Sequence, residues 1–445
     1  MTLVTKVSAE TSRRSVWADP DFRRLWRAST ISLFGTNVGE LALPLLAILT
    51  LAASPLQLGL LRGAQFLPFL LMTLPLGVLV DRAAKRPLMV LSDLGRFLLV
   101  GAIPVLIWAG VREIGIVLVL VFLSGCLTVL YQLADFAILP TLVTEELIVD
   151  ANGKLSASAS ANEIAGGGAG GVIVQLLTAP VAVFVDAVTY LLSAMSLRRI
   201  TARDTIGIAS RNGSAMSDAL EGLSAAVRSR FIRPLIGEAA TFNFFNEFFV
   251  IGLLLVATRD LGLGPAVIGA VFVAGGIGSF AGAWFGARVT RRFGYGRVLL
   301  VTMLVGNGAP LGVVLIRGGR TAALMVLVTV FILMGVGIGI ANVHAVSLRQ
   351  TAVADEMRSR VNAGYRLFTW GALPLGAVVG GAVAAGSGAR TAMLVGAAGI
   401  ALATSWVAFS AIPRLESIRG AREDSTTDLA AGDLPGRDGG AGSVG

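Results

Sequence analysis

Pro55-Leu-Gln-Leu-Gly59 returns 210 residues later as Pro265-Ala-Val-Ile-Gly269. The echo runs on at the same interval. Glu145-Glu146 is answered by Asp355-Glu356, Asn152 by Asn362, and Gly170-Gly171 by Gly380-Gly381. Two related halves joined in parallel on one apolar chain form the layout expected of a membrane carrier whose halves rock about a site between them.

The composition puts those halves in a bilayer. Hydrophobic residues make up 55% and charged residues 14%, against about 25% charged in soluble domains. Apolar runs of roughly 20 residues, each able to cross a hydrocarbon core as a helix, are read at 25–52, 56–80, 87–110, 114–137, 153–177 and 178–200. A second set is read at 231–258, 265–289, 297–316, 321–347, 360–385 and 389–412. The expected fold class is therefore an all-α membrane protein of twelve transmembrane helices, in two six-helix bundles related by a pseudo-two-fold axis.

The net charge of +9 does not mark a nucleic-acid binder, because Lys and Arg gather in alternate loops rather than along one stripe. They cluster before helix 1 (Arg13, Arg14, Arg23, Arg24), between helices 2 and 3, in the middle segment (Arg198, Arg199, Arg203), and in the loops after helices 8 and 10. The positive-inside rule then puts both termini in the cytoplasm. Residues 1–20 are expected to form a flexible cytoplasmic lead, with no cleaved signal peptide. The two bundles are expected over 21–200 and 229–413, with a cytoplasmic linker at 201–228 and a disordered tail at 414–445. A short helix is expected within the linker, around Met216–Arg228. Cys126, the single cysteine, excludes an intrachain disulfide.

Gly77-Val-Leu-Val-Asp81-Arg82-Ala-Ala-Lys85-Arg86 fills the turn between helices 2 and 3. A glycine there permits close helix contact. Asp81 at the membrane edge can meet a helix N-terminus or a cation of the facing half in one access state and lose it in the other. The stretch resembles the loop signature of the major facilitator superfamily, G-x-x-x-D-R-x-G-R-K, with Ala84 in place of a glycine. Its second copy keeps Gly286, Arg291 and Arg292 but carries Thr290 where the aspartate would stand. Ile138-Leu139-Pro140, Phe184-Val185-Asp186-Ala187 and Met357-Arg358-Ser359-Arg360-Val361 resemble the drug:proton antiporter branch that includes macrolide efflux proteins and enterobactin exporters. Gly166-Gly-Gly-Ala-Gly170-Gly171 is similar to the antiporter motif G-P-x-x-G-G, with Gly167 replacing the proline.

The resemblance implies export of a small amphiphilic molecule from a bacterial cytoplasmic membrane in exchange for protons. The proton gradient would supply the energy, no cofactor would be needed, and the carrier would act as a monomer. A dedicated siderophore or metabolite exporter, or a non-transporting sensor on a transporter fold, are the alternatives. Gly77, Asp81, Arg82, Lys85, Arg86, Gly170, Gly171, Gly380, Gly381 and Arg360 are the residues expected to control the change of access.

Charges inside spans are costly and therefore point to function. Glu40 in helix 1 and Glu247 in helix 7 lie deep, in helices that line the central cavity of this superfamily. Asn37, Asn243 and Asn246 accompany them. Glu40 is expected to bind proton or substrate with Glu247 assisting, and Arg62 in helix 2 is expected either to be the counter-ion of one of these glutamates or to snorkel toward the outer surface. Phe244, among five phenylalanines around Glu247, is expected to help form an apolar wall. Asp93 and Arg96, three apart, are expected to pair structurally, Asp186 to pack or cap, and Asp135 and Glu163 to serve near the inner ends. His344, the only histidine, is a minor proton-transfer candidate, and with no second histidine or cysteine pair it makes no metal site. No phosphate loop, nucleophile elbow or zinc motif supports an enzyme.

Overall fold

The computed structural model describes residues 15–202, 224, 226–316, 319–353 and 357–417. Twelve long helices account for nearly all of them. In the first half these are α1 (Pro20–Leu49), α2 (Pro55–Arg82), α3 (Lys85–Trp108), α4 (Ile114–Leu142), α5 (Glu145–Leu176) and α6 (Ala179–Leu197). The second half contains α7 (Ile232–Leu255), α8 (Pro265–Phe293), α9 (Tyr295–Gly308), α10 (Arg320–Thr351), α11 (Arg358–Ser387) and α12 (Ala389–Ala403). α7 runs on through a π turn, Val256–Asp260, and α9 loosens at Pro310 into a 3-10 segment, Ala309–Leu315. Proline lacks the amide hydrogen that the α ladder needs.

Local chemistry sets the starts. Ser54 and Gln57 form a reciprocal capping box at α2, with Pro55 in the first turn. Asp19 caps α1 by accepting from the amides of Asp21 and Phe22 at 2.7 and 3.1 Å. Asp21 then accepts from the amides of Thr201 and Ala202 and from the Thr201 hydroxyl. The first bundle is thus tied shut across its ends, and it runs further than the sequence reading allows. Val16 is fully buried, so the chain is anchored from there rather than from residue 21. At the other end Leu415 is buried, and its carbonyl accepts from the Gly296 amide at 2.8 Å. The helix expected around Met216–Arg228 lies mostly outside the described residues.

Eleven of the helices are long and apolar enough to cross a membrane. The other is α5, whose Ser, Asn, Lys and Gly content lowers its hydropathy. α4 and α5 also reach beyond their apolar stretches, to within one short turn of each other, so their amphipathic ends project past the bilayer core. Large apolar side chains such as Phe136 and Phe409 are exposed.

Each half repeats one packing plan: α1 on α5 and α6, α2 on α4, α3 on α4 and α6; then α7 on α11 and α12, α8 on α10, α9 on α10 and α12. The halves meet through α2 with α11 and α5 with α8. At the first crossing Gly59 faces Gly381, and a Cβ on Gly59 would stand 2.5 Å from the Ala377 carbonyl oxygen. At the second, Gly269 faces Gly171, and a Cβ on Gly171 would stand 2.5 Å from the Pro265 carbonyl oxygen. The pairs interchange under the 210-residue interval. Gly170 packs on Val38 as Gly380 packs on Phe248, again in register. The repeat is therefore a packing symmetry: only glycine lets these backbones approach so closely.

Candidate functional site

Both crossings lie toward the ends of the helices far from the basic loops. α2 and α11 stay together from Gly59 and Gly381 down to the middle, where the rings of Phe69 and Trp370 stand 4.8 Å apart and Leu70 lies over Gly371. α5 and α8 stay together from Gly171 and Gly269 down to Ile164 and Gly276. The same end carries two further bonds between halves. The Arg259 guanidinium donates to the Ala53 carbonyl at 2.7 Å, and the Ala266 amide donates to Gln175 Oε1 at 3.0 Å. Toward the basic face the helices part: around Gly77 nothing among the described residues comes within 4 Å of a Cβ position. Among the described residues, the halves are closed at the face away from the basic loops and part at the basic one.

Glu40 sits where this opening ends. Its side chain projects into a cavity of about 210 Å³ shared with Gln65, Phe66, Phe69, Asp186 and Trp370. It is exposed to that space while lying near the middle of a membrane-length helix, and it has no hydrogen bond or ion pair among the described residues. Arg62 and Glu247 lie within electrostatic reach.

Glu247 does not share the cavity. It is 1% exposed and accepts both prongs of the Arg62 guanidinium, from Nε at 2.9 Å and Nη2 at 2.8 Å. Arg62, open between two glutamates on sequence grounds, belongs to this one. Its cationic carbon also stands 5.0 Å from the Phe66 ring centre. The planar fork matched to a carboxylate is the strongest ion-pair geometry available to side chains, and here it links α2 of one half to α7 of the other.

The remaining expected residues divide. Asn246 lines a second cavity, about 260 Å³, with Glu163, Phe242, Phe249, Phe272 and Phe331. Asn243 borders a third, about 330 Å³, with Asn307, Arg349, Tyr365 and Trp370, and donates to the Thr369 carbonyl at 2.8 Å. Asn37 bonds its own helix at Leu33. Phe244 is displaced from the expected wall: it packs on Gly376 and against Phe245 and Phe248, while Phe242 and Phe249 face a cavity. Glu238, which the sequence reading missed, borders the third cavity and accepts from Asn307 Nδ2 at 2.9 Å. Its place as a carboxylate within α7, five residues before Asn243, was the available signal.

Asp93 and Arg96 pair as expected, both fully buried, with the guanidinium 4.5 and 4.2 Å from the ring centres of Tyr131 and Tyr190. Asp135 accepts from Ser29 at 2.9 Å. His344 has both ring nitrogens engaged, with the Ile340 carbonyl and the Thr290 hydroxyl, and it is buried. Such a satisfied ring has a structural place.

At the basic face Arg86 donates to the carbonyls of Leu197 and Arg198, at 3.2 and 2.5 Å, fastening the α2–α3 turn to the end of α6. Lys85 is buried. Asp81 and Arg82 are exposed, and Asp81 makes no ion pair among the described residues. Arg360 stands in the first turn of α11, with its side chain outside the described set.

Residues 12–439 match the family described as transmembrane secretion effector, MFS_3. An uncharacterized MFS-type transporter of Bacillus subtilis (strain 168), YfiS, is 26% identical over 382 residues, covering 83% of this chain and 88% of that one. Among solved structures, the nucleoside transporter NupG superposes with a TM-score of 0.69 at 12% identity, covering 87% of this chain and 98% of its own. A bacterial homologue of the iron transporter ferroportin in its inward-facing state gives 0.68 at 18% identity over 89% and 99%. Its outward-facing form, with soaked iron, gives 0.56.

Proposed function

From the premise that this chain belongs to the transmembrane secretion effector family of major facilitator transporters, we propose that it exports a small amphiphilic molecule in exchange for protons. Glu40 is the group at which proton and cargo compete. The observation that carries this reading is a carboxylate with no described partner, directed into a cavity at the closed end of the opening between the halves. A carboxylate so placed can hold either a proton or a cationic or polar ligand, and exchange between them couples the two flows.

The access change follows from the packing. Alternating access requires the glycine crossings at 59/381 and 171/269, with the Arg62–Glu247 pair, to separate while the ends at the basic face come together. Asp81 then gains a partner across the closing face. With the basic loops taken as cytoplasmic, the described arrangement is inward-facing and loads cargo from the cytoplasm. Closure moves that cargo outward.

Everted membrane vesicles with an imposed proton gradient test this. Addition of transported compound should collapse the gradient in wild-type vesicles and leave it standing with Glu40→Gln. Undiminished proton-coupled transport by Glu40→Gln at every pH would refute the role given to Glu40.

A further inference from the structure

The first half contains an imbalance of charge that Glu40 alone does not express. Two arginines are buried there, and both are committed. Arg62 gives both prongs to Glu247. Arg96 pairs with Asp93 and is covered on its faces by Tyr131 and Tyr190. Of the carboxylates left without an arginine, Asp135 accepts from Ser29 and Glu163 lines a different cavity, while Glu40 and Asp186 line the same one.

Asp186 has a built place. It is 3% exposed; its carboxylate is hydrogen-bonded by Tyr190 and lies within electrostatic reach of Arg96, while its Oδ1 has no hydrogen-bond partner among the described residues. Tyr190, one turn on, has its hydroxyl within 3.1 Å of Thr36 Oγ1. The carboxylate lies against the backbone of α1 at Gly35 and Gly39, where a Cβ would run into it. The two glycines thus let Asp186 of α6 reach the position on α1 adjacent to Glu40. A buried polar atom without a partner is costly, and the residue that carries it borders the cavity.

The walls indicate the partner. Phe66, Phe69, Tyr190 and Trp370 present aromatic rings around the two carboxylates, and ring faces attract cations. No group of three or more His, Cys, Asp or Glu side chains that could hold a metal ion occurs among the described residues. Glu163, facing from α5, adds negative rather than positive charge. We infer that Asp186 and Glu40 together bind an organic cation, an ammonium or phosphonium with an apolar body, and that Asp186 is a cargo-binding residue. This rests on the transport reading and names its substrate class.

Equilibrium binding of radiolabelled tetraphenylphosphonium to the purified full chain tests it independently of proton flux. Asp186→Asn and Glu40→Gln should each weaken binding at least about tenfold, the loss of one buried charge partner. Gly39→Ala, which displaces the Asp186 carboxylate without removing its charge, should weaken it too. Quaternary ammonium ions should compete, whereas uncharged triphenylphosphine oxide and Mn²⁺ should not. Unchanged affinity in both Asp186→Asn and Gly39→Ala overturns the assignment, as does absent binding to wild type. Displacement by micromolar Mn²⁺ overturns it in favour of a metal ion. If Asp186→Asn fails to fold, Gly39→Ala decides alone. Binding that persists while proton exchange fails sinks antiport and keeps the cation site; proton-coupled export of neutral compounds only, without cation binding, does the reverse.

Discussion

Arg62 and Glu247 hold each other across the boundary between the halves, yet their counterparts under the 210-residue interval are Phe272 and Asn37. The backbone contact is symmetric and the ion pair is not. Only one of the two equivalent places carries a charged bond that must open for the halves to rock.

Glu247→Gln should therefore loosen the closed face. The substitution leaves Arg62 buried against a neutral amide, and breaking such a pair costs about 3–5 kcal/mol. Spin labels at Ala52 and Gly262, in the α1–α2 and α7–α8 connections, should report a larger share of long distances by double electron–electron resonance. An unchanged distance distribution would mean that the pair does not hold this face.

Gly59→Ala and Gly171→Ala should act alike, since each added Cβ would press on a carbonyl of the partner helix. Overpacking of this kind costs about 1–3 kcal/mol. Both variants should lose transport in proportion to the same opening of the closed face. Gly77→Ala, with nothing of another element nearby, should leave thermal stability unchanged in this state.

Asp81→Asn should not destabilise the arrangement described, in which Asp81 has no ion pair among the described residues. It should instead slow export, because the basic face loses a contact only when it closes. Thermal unfolding within error of wild type, combined with reduced turnover, is the expected pattern. A large drop in unfolding temperature would contradict it.

Asp93→Ala should be severe. It strands a fully buried guanidinium between two tyrosine rings, at a cost of about 3–5 kcal/mol. Replacing the pair together, Asp93→Leu with Arg96→Met, should recover most of the loss in thermal unfolding. His344→Gln, by contrast, should leave the pH profile of transport where it was, since neither ring nitrogen of His344 faces a cavity.

The repeat, the glycine positions and the Asp93–Arg96 pair are legible in the sequence because they depend on spacing along one helix or on identity at a fixed interval. The rotation of each helix is not legible in the same way. In a bilayer both the lipid face and the protein face of a helix are apolar, so periodicity gives no inward direction. That is why Phe244 was expected at a cavity that Phe242 and Phe249 reach. It is also why spacing alone suggests a packing or capping place for Asp186 and does not reveal that it borders the cavity that Glu40 lines. Partner choice fails for a related reason: Arg62 is close to two glutamates, and only the crossing of α2 with α7 selects Glu247.

Among the described residues α5 is the one long helix not apolar enough to cross a membrane, and its glycines are spent on neighbours: Gly166 and Gly170 on α1, Gly168 and Gly171 on α8. Its partition from the translocon into lipid is therefore weak on its own. Biogenesis must supply what composition does not. α1 is already in place when α5 emerges, but α8 is synthesised later, so the amino-terminal half should remain incompletely inserted, and open to quality-control proteolysis, until the ribosome has delivered the second half.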